Sequence, residues 1–291
     1  MKNIVILLIL VLCTGCQNQG EVTDEEIDFQ EDGQVEEYFS YSHGVVDFNL
    51  EEWIVEGSTI DFNYYIENLG DACEIGLFFL IDGIPQQVTI NNETGYMYNL
   101  DYDSGEYVEF EVSIQSIVME ETTEANLQPC VVLNPSTIVT SSTYTFDHLI
   151  SCTAPVVLNT TNLEYEIIEN IETLIPNSRE ISASEVEELG GEKIWSSVVI
   201  NQSNNNEVYV SNLPLDLTMY GKAGTYRLLV MEDNTFTGIY TTEMIEQSYC
   251  DITIDALLED TKNISFLMIP LEEFEGSQYT TAFQATRGIV E

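Results

Sequence analysis

The side chains able to do chemistry at short spacing are few, and most are acidic. Asp101, Asp103 and Glu106 flank Gly105. Three carboxylates on one short loop suit a hard cation, so this is the best local candidate for a Ca2+ site; the plainer alternative is a turn with solvated acids. A paired-carboxylate hydrolase needs two such groups at a fixed separation. With 51 Asp and Glu in the chain, no pair is singled out. The histidines are His43 and His148. Asp147 adjoins His148, but neighbours on a strand point to opposite faces, which argues against a triad. His43 reads as a surface residue at a domain entrance. No G-x-S-x-G, H-E-x-x-H, P-loop or G-x-G-x-x-G sequence occurs, so no catalytic residue is assigned and no cofactor is expected beyond Ca2+ at that loop. Trp53, Tyr64, Tyr65, Tyr96, Tyr98, Tyr102 and Trp195 offer either a flat sugar-stacking platform or the aromatic edges of a core.

Six cysteines complete the inventory. Cys13 and Cys16 belong to the N-terminal segment, which leaves Cys73, Cys130, Cys152 and Cys250. An even number in an exported chain is the arithmetic of disulfides. The pairing Cys73–Cys130 with Cys152–Cys250 is favoured, because each bridge then stays within one domain. A Cys130–Cys152 clip closing a short loop is the alternative. Metal binding is the weaker reading, as no C-x-x-C spacing occurs.

The N-terminus shows where these groups work. Lys2 precedes an apolar run of nine residues, Ile4 to Leu12, then Cys13-Thr14-Gly15-Cys16. The run is too short to span a bilayer and has the form of an export signal. Its end resembles a bacterial lipoprotein signal, which implies cleavage after residue 15 and lipid attachment at Cys16. Several acyl chains then hold the protein to the bilayer at the extracytoplasmic face of the cell membrane. Residues 16–42 form an acidic tether.

Charge sets the environment of the rest. The net charge is −44, and from Asn3 to Ser178 there are 32 acidic residues and no Lys or Arg. Repulsion from phosphates excludes nucleic acid as a partner. The carboxylates are either a solvated anionic surface or a weak, multi-site sink for divalent cations. With 44% hydrophobic residues the chain still has the material for real cores.

The elements that must position all this are strands. Ile60, Phe62, Tyr64 and Ile66 alternate with Asp61, Asn63, Tyr65 and Glu67, and Val108, Phe110, Val112 and Ile114 alternate with Glu109, Glu111, Ser113 and Gln115. A period of two with one polar set marks a half-buried strand. Ile75 to Ile81 is continuously apolar, as in a central strand, and Asp82-Gly83 ends it as a turn. Further strands are expected at Tyr144–Phe146, Gly224–Met231 and Ile264–Ile269, with a hairpin from Ile194–Ile200 to Val208–Leu213. One short helix is expected between Ser182 and Gly190. Many short strands separated by turns argue for antiparallel sandwiches. The fold class is therefore all-β, with β-sandwich domains at 43–155 and 156–291 behind the signal (1–15) and the tether. A weak two-fold similarity links Gly105-Glu106-Tyr107 with Gly224-Thr225-Tyr226.

Residues Tyr64 to Ala72, followed by Leu77 to Gly83, resemble bacterial immunoglobulin-like domains of the adhesion-related type. Asp103-Ser104-Gly105-Glu106-Tyr107 is similar to their tyrosine corner. The resemblance implies a bacterial cell-surface lipoprotein with immunoglobulin-like β-sandwich domains. The functional expectation is a non-catalytic module that binds or scaffolds an envelope protein or glycan. The alternative is a carboxylate-dependent glycan- or wall-modifying hydrolase.

Overall fold

The computed structural model describes residues 39–46, 53–138, 150–153, 155–168, 171–175, 177–180, 182, 197–200, 209–210, 215–221, 223–244, 248–254, 258, 260–271 and 284–290. The export signal, Cys16, the tether up to residue 38, Tyr144–Phe146, His148, residues 183–190 and Trp195 lie outside the described residues. Every regular element described is a strand, and among the described residues no helix is long and apolar enough to cross a membrane.

The first half opens with β1 (Tyr41–Val45), β2 (Trp53–Gly57), β3 (Ile60–Asn68) and β4 (Cys73–Ile81). Four short strands follow, β5 (Ile84–Pro85), β6 (Val88–Ile90), β7 (Glu93–Gly95) and β8 (Tyr98–Tyr102), and then the longer β9 (Tyr107–Ile114). It closes with β10 (Val118–Met119), β11 (Glu124–Leu133), β12 (Ile150–Cys152), β13 (Val156–Leu163) and β14 (Glu166–Ile167). One sheet has the order β1-β3-β9-β6-β7 and the other β2-β13-β11-β4-β5, with β12 also on β11 and β8 also on β4. These orders are those of an immunoglobulin domain, A-B-E-D facing G-F-C. The first and last strands of the second sheet, β2 and β13, pair in parallel. Between the sheets lie Phe62, Tyr64, Ile66, Leu77, Phe79, Val112, Leu127 and Leu158, all buried.

The second half comprises β15 (Glu172–Leu174), β16 (Asn177–Glu180), β17 (Ser197–Ile200), β18 (Tyr209–Val210) and β19 (Leu215–Gly221). After them come β20 (Gly224–Glu232), β21 (Thr235–Met244), β22 (Ser248–Ile254), β23 (Asn263–Pro270) and β24 (Gln284–Val290). The sheets run β15-β21-β20-β23-β24-β18 and β16-β22-β19-β17. Setting β17, β18, β19, β20, β22, β23 and β24 against β1, β2, β3, β4, β9, β11 and β13 reproduces the order of those seven strands in their two sheets. The parallel pair is reproduced too, as β18 with β24. The expected hairpin of β17 with β18 does not form, because β17 pairs β19 and β18 pairs β24.

A second repeat is local. Asp82-Gly83 joins β4 to β5 and Asp233-Asn234 joins β20 to β21, both with positive φ at the two central residues (46° and 73°, 46° and 65°). That backbone is the two-residue hairpin turn whose twist matches the strands. In each turn the aspartate exchanges two bonds with an asparagine of a following strand. Asp82 Oδ1 accepts from the Asn126 N–H at 2.9 Å, and the Asp82 N–H donates to the Asn126 carbonyl at 3.0 Å. Asp233 does the same with Asn263, at 2.7 and 3.0 Å. The Gly-x-Tyr pieces noted in the sequence are not equivalent: Gly105-Tyr107 leads into β9, whereas Gly224 opens β20.

The halves meet through their C-F sheets. Leu77, Phe79 and Ile81 point into the first core, while Phe78 and Leu80 point outward with Cys130. In the second half Leu228, Val230, Phe266 and Met268 face their own core, and Leu229, Met231, Leu267 and Ile269 face the first half. All seven side chains of this seam are buried. The continuous apolar runs of the sequence are therefore strands covered on both faces. Each such side chain contributes about 1.5–3 kcal/mol of hydrophobic burial.

Arg227 shares the seam face of β20. It is fully buried, its Nη2 lies 2.8 Å from Glu120 Oε2, and its Nη1 donates to Thr241 Oγ1. Gly83, at φ 73°, lies against its stem; a Cβ there would sit 2.8 Å from Arg227 Cβ and Cγ.

Two expectations need correction. The sheets do not divide between residues 155 and 156, because β13 (Val156–Leu163) pairs β11 and β2 as the last strand of the first sandwich. The favoured cysteine pairing is replaced by Cys130–Cys152. Those residues are register partners on β11 and β12, with Cα atoms 4.1 Å apart, so adjacency within one sheet decides the bridge. Cys73 is unbridged and half-buried; Cys250 is on β22, and its side chain lies outside the described residues.

Candidate functional site

With the C-F faces buried against each other, the broad face left open on the first half is the outer face of β1-β3-β9. Alternation dictates what it carries. Asp61, Asn63, Tyr65 and Glu67 of β3 lie outward, as do Tyr107, Glu109, Glu111 and Ser113 of β9. Register sets Glu67 opposite Tyr107 and Tyr65 opposite Glu109, which makes the two tyrosines diagonal neighbours, within reach of each other across the strands. Their rings stack with centroids 5.8 Å apart and an interplanar angle of 18°.

The stack is held from both sides. Gly44 on β1 faces Tyr65, and a Cβ there would lie 3.2 Å from Tyr65 Cε1, so the ring covers bare backbone. Ser42 Oγ is 3.3 Å from the Tyr65 hydroxyl. Tyr107 is 53% exposed and its hydroxyl donates to Glu109 Oε2 at 3.4 Å. Local desolvation, then the neighbouring Glu109 carboxylate, raise its phenol above the ordinary value. Four carboxylates share this face, Glu67 and Glu109 directly beside the pair and Asp61 and Glu111 farther along the strands, in a stretch of sequence without Lys or Arg. The face offers two coplanar π surfaces, a ring of acceptors and phenolic hydroxyls. Such groups suit hydroxyl-, amide- or amine-rich molecules.

Tyr107 was legible only through its parity. It shares a face with Glu109 and Glu111, which places it outside the core. The tyrosine-corner resemblance fails for that reason, and because β9 holds the E position while the motif belongs to the F strand. The other expected aromatics scatter. Tyr64 and Tyr102 are buried, Trp53 packs edge-on to Phe62 at 5.8 Å, and Tyr96 sits 6.5 Å from Phe236. Of the seven, Tyr65 alone joins the open stack among the described residues.

The acidic loop is a structural turn. Asp101 is on β8 opposite Glu74. Glu106 Oε2 accepts the Asp103 N–H at 2.8 Å, and buried Asn68 donates to the carbonyls of Asp103 and Asp71 at 3.1 and 2.7 Å. Among the described residues no group of three or more His, Cys, Asp or Glu side chains converges as a metal site, so Asp101, Asp103 and Glu106 are not brought together as ligands. The buried carboxylate Glu232 is occupied by donors, from Thr237 Oγ1 at 2.8 Å, the Leu258 N–H at 2.6 Å and Thr261 Oγ1.

His43 is not a surface residue. It is half-buried on β1 with Nδ1 2.6 Å from the Tyr64 hydroxyl, and burial lowers its pKa to about 4. It is thus neutral near pH 7. Asp82, half-buried at the seam, has its carboxyl raised by that burial, against the opposing pull of Asn126 and Arg227.

No known protein family matches the chain, and no curated protein matches it in sequence. Solved structures similar to it include the Salmonella enterica SafA pilin in complex with the SafB chaperone, at 11% identity over 80% of this chain and 91% of that one, with a TM-score of 0.25. The class 5 fimbriae chaperone CfaA is similar at 8% identity over 85% and 99%, with a TM-score of 0.22. The E. coli chaperone DraB is similar at 9% identity over 87% and 98%, with a TM-score of 0.25. Scores this low carry no argument about ligand or activity. The immunoglobulin-like topology rests on the strand pairing.

Proposed function

We propose that this is an extracytoplasmic lipoprotein, anchored through Cys16, whose paired immunoglobulin-like sandwiches bind or scaffold an envelope protein or glycan without catalysis. The signal and the acidic tether support the location. The observation that supports the binding role most is exposed Tyr107 stacked on half-buried Tyr65, on an otherwise polar sheet face. An aromatic ring exposed on such a face gives large contact area at low entropic cost.

The lipidated chain, used as bait on solubilised cell envelope and on an array of envelope glycans, tests the reading. Capture of a defined partner, reduced at least tenfold by Tyr107→Ala with unchanged thermal stability, is the expected result. Capture unaffected by that change moves the site elsewhere. Turnover of a glycan or peptidoglycan fragment, abolished by one carboxylate substitution, overturns the non-catalytic assignment.

A further inference from the structure

We infer that docking of the second half protects the Cys130–Cys152 disulfide from reduction, and that the disulfide in turn holds the two halves together, making the seam a redox-responsive latch. The bridge does not join the two sheets of a sandwich. It lies within one sheet, between register partners on β11 and β12, on the face turned toward the second half. Cys130 is fully buried in the cluster of Phe78, Leu80, Leu229, Met231, Leu267 and Ile269. Cys152 is half-buried at the rim of the same cluster, with Ile150.

Reduction by an external dithiol requires a thiolate to attack one sulfur along the S–S axis. The S–S bond breaks and the other cysteine leaves as a thiolate. The second reductant thiol then attacks the mixed disulfide, giving two protein thiols and one oxidised dithiol. Attack on Cys130 is blocked by burial. Attack on Cys152 expels Cys130 as an anion into an apolar seam, where desolvation raises a thiol's pKa and makes it a poor leaving group. Both routes are slow until the halves part.

The reverse coupling follows from what the bridge holds. Strand β12 is only three residues long and pairs β11 over Val132–Ile150, Val131–Ser151 and Cys130–Cys152. Its Ile150 and Cys152 form part of the seam rim, and Ser151 Oγ is 2.6 Å from the Tyr41 hydroxyl. A pairing this short depends on the covalent link to stay in place, and its loss uncovers the rim. Linkage makes the effect reciprocal: docking stabilises the oxidised bridge by as much as the bridge stabilises docking.

The test is reduction of the full oxidised chain by dithiothreitol at neutral pH, followed by alkylation of the Cys130 and Cys152 peptides. The native protein is expected to reduce at least a hundredfold more slowly than the urea-unfolded chain. Leu229→Ala, on the seam face of β20, should accelerate reduction about tenfold. Its neighbour Leu228→Ala, on the opposite face and inside the second core, should accelerate it much less at a temperature where both variants remain folded by circular dichroism. In the reciprocal arm, Cys130→Ser with Cys152→Ser should bind an apolar dye under conditions where the parent does not. Native reduction as fast as in urea, or equal acceleration by the two leucine variants, overturns the latch; a bridge-free variant that binds no dye overturns its reciprocal half.

Discussion

The seam face of β4 and the outer face of β3 belong to the same sandwich and obey the same two-residue alternation, yet they end in opposite surroundings. On β3 one set of side chains enters the core and the other, Asp61, Asn63, Tyr65 and Glu67, meets water. On β4 both sets are buried, Leu77, Phe79 and Ile81 against one partner sheet and Phe78 and Leu80 against the second half. An alternating strand declares one neighbour and a continuous apolar strand declares two. The C-F faces are thereby committed to each other, which leaves the A-B-E face turned to water.

The largest effect that separates the two faces is expected from Leu80→Asp. An unpaired carboxylate in the seam should cost more than about 4 kcal/mol, enough to part the halves or unfold the chain in urea titrations. Gly83→Ala comes next, at about 2–4 kcal/mol by the same measurement, because it combines positive φ with a Cβ pressed onto the Arg227 stem. Acid should act on the β1 edge. The pKa of folded His43 lies at about 4, below its ordinary 6.5, so the unfolded chain binds its proton first. Its contribution is full above pH 6.5, falls as the pH drops toward 4, and totals up to about 3 kcal/mol; a His43→Asn variant should show a flatter stability profile in that window. Asp82→Ala and Asp233→Ala should each cost about 1–2 kcal/mol by removing the carboxylate's turn-to-strand bonds; a large inequality between them would show that the two clamps are not equivalent. Smallest of all, Glu111→Leu on the open face should shift stability by less than about 0.5 kcal/mol in thermal melts.

The fold was legible where alternation was clean and where turns carried their own chemistry. Residues 60–67 and 108–114 read directly as one-sided strands, and Asp82-Gly83 as the turn that it is. The run from Ile75 to Ile81 read as a central strand, although its second cover is a domain rather than another layer of its own. What stayed hidden depends on adjacency between segments far apart in the chain. Cys130 and Cys152 face each other because β12 returns to β11, and Val156–Leu163 closes the first sandwich although Cys152 and Pro155 suggest a boundary. The Tyr65–Tyr107 stack is hidden for the same reason, since a diagonal contact exists only once register is fixed. His43 was misplaced because its partner Tyr64 lies on β3, which only strand pairing brings to it.

The parallel pairing of first and last strands has a mechanical consequence. In each half the strand near the start (β2 or β18) lies beside the final strand (β13 or β24) and runs in the same direction. A pull between the N-terminal and C-terminal ends of such a pair slides one strand along the other. The hydrogen bonds between them are then loaded together and must fail together, unlike a hairpin, which unzips one bond at a time. For a chain pulled from its two ends, both sandwiches are oriented to bear tension.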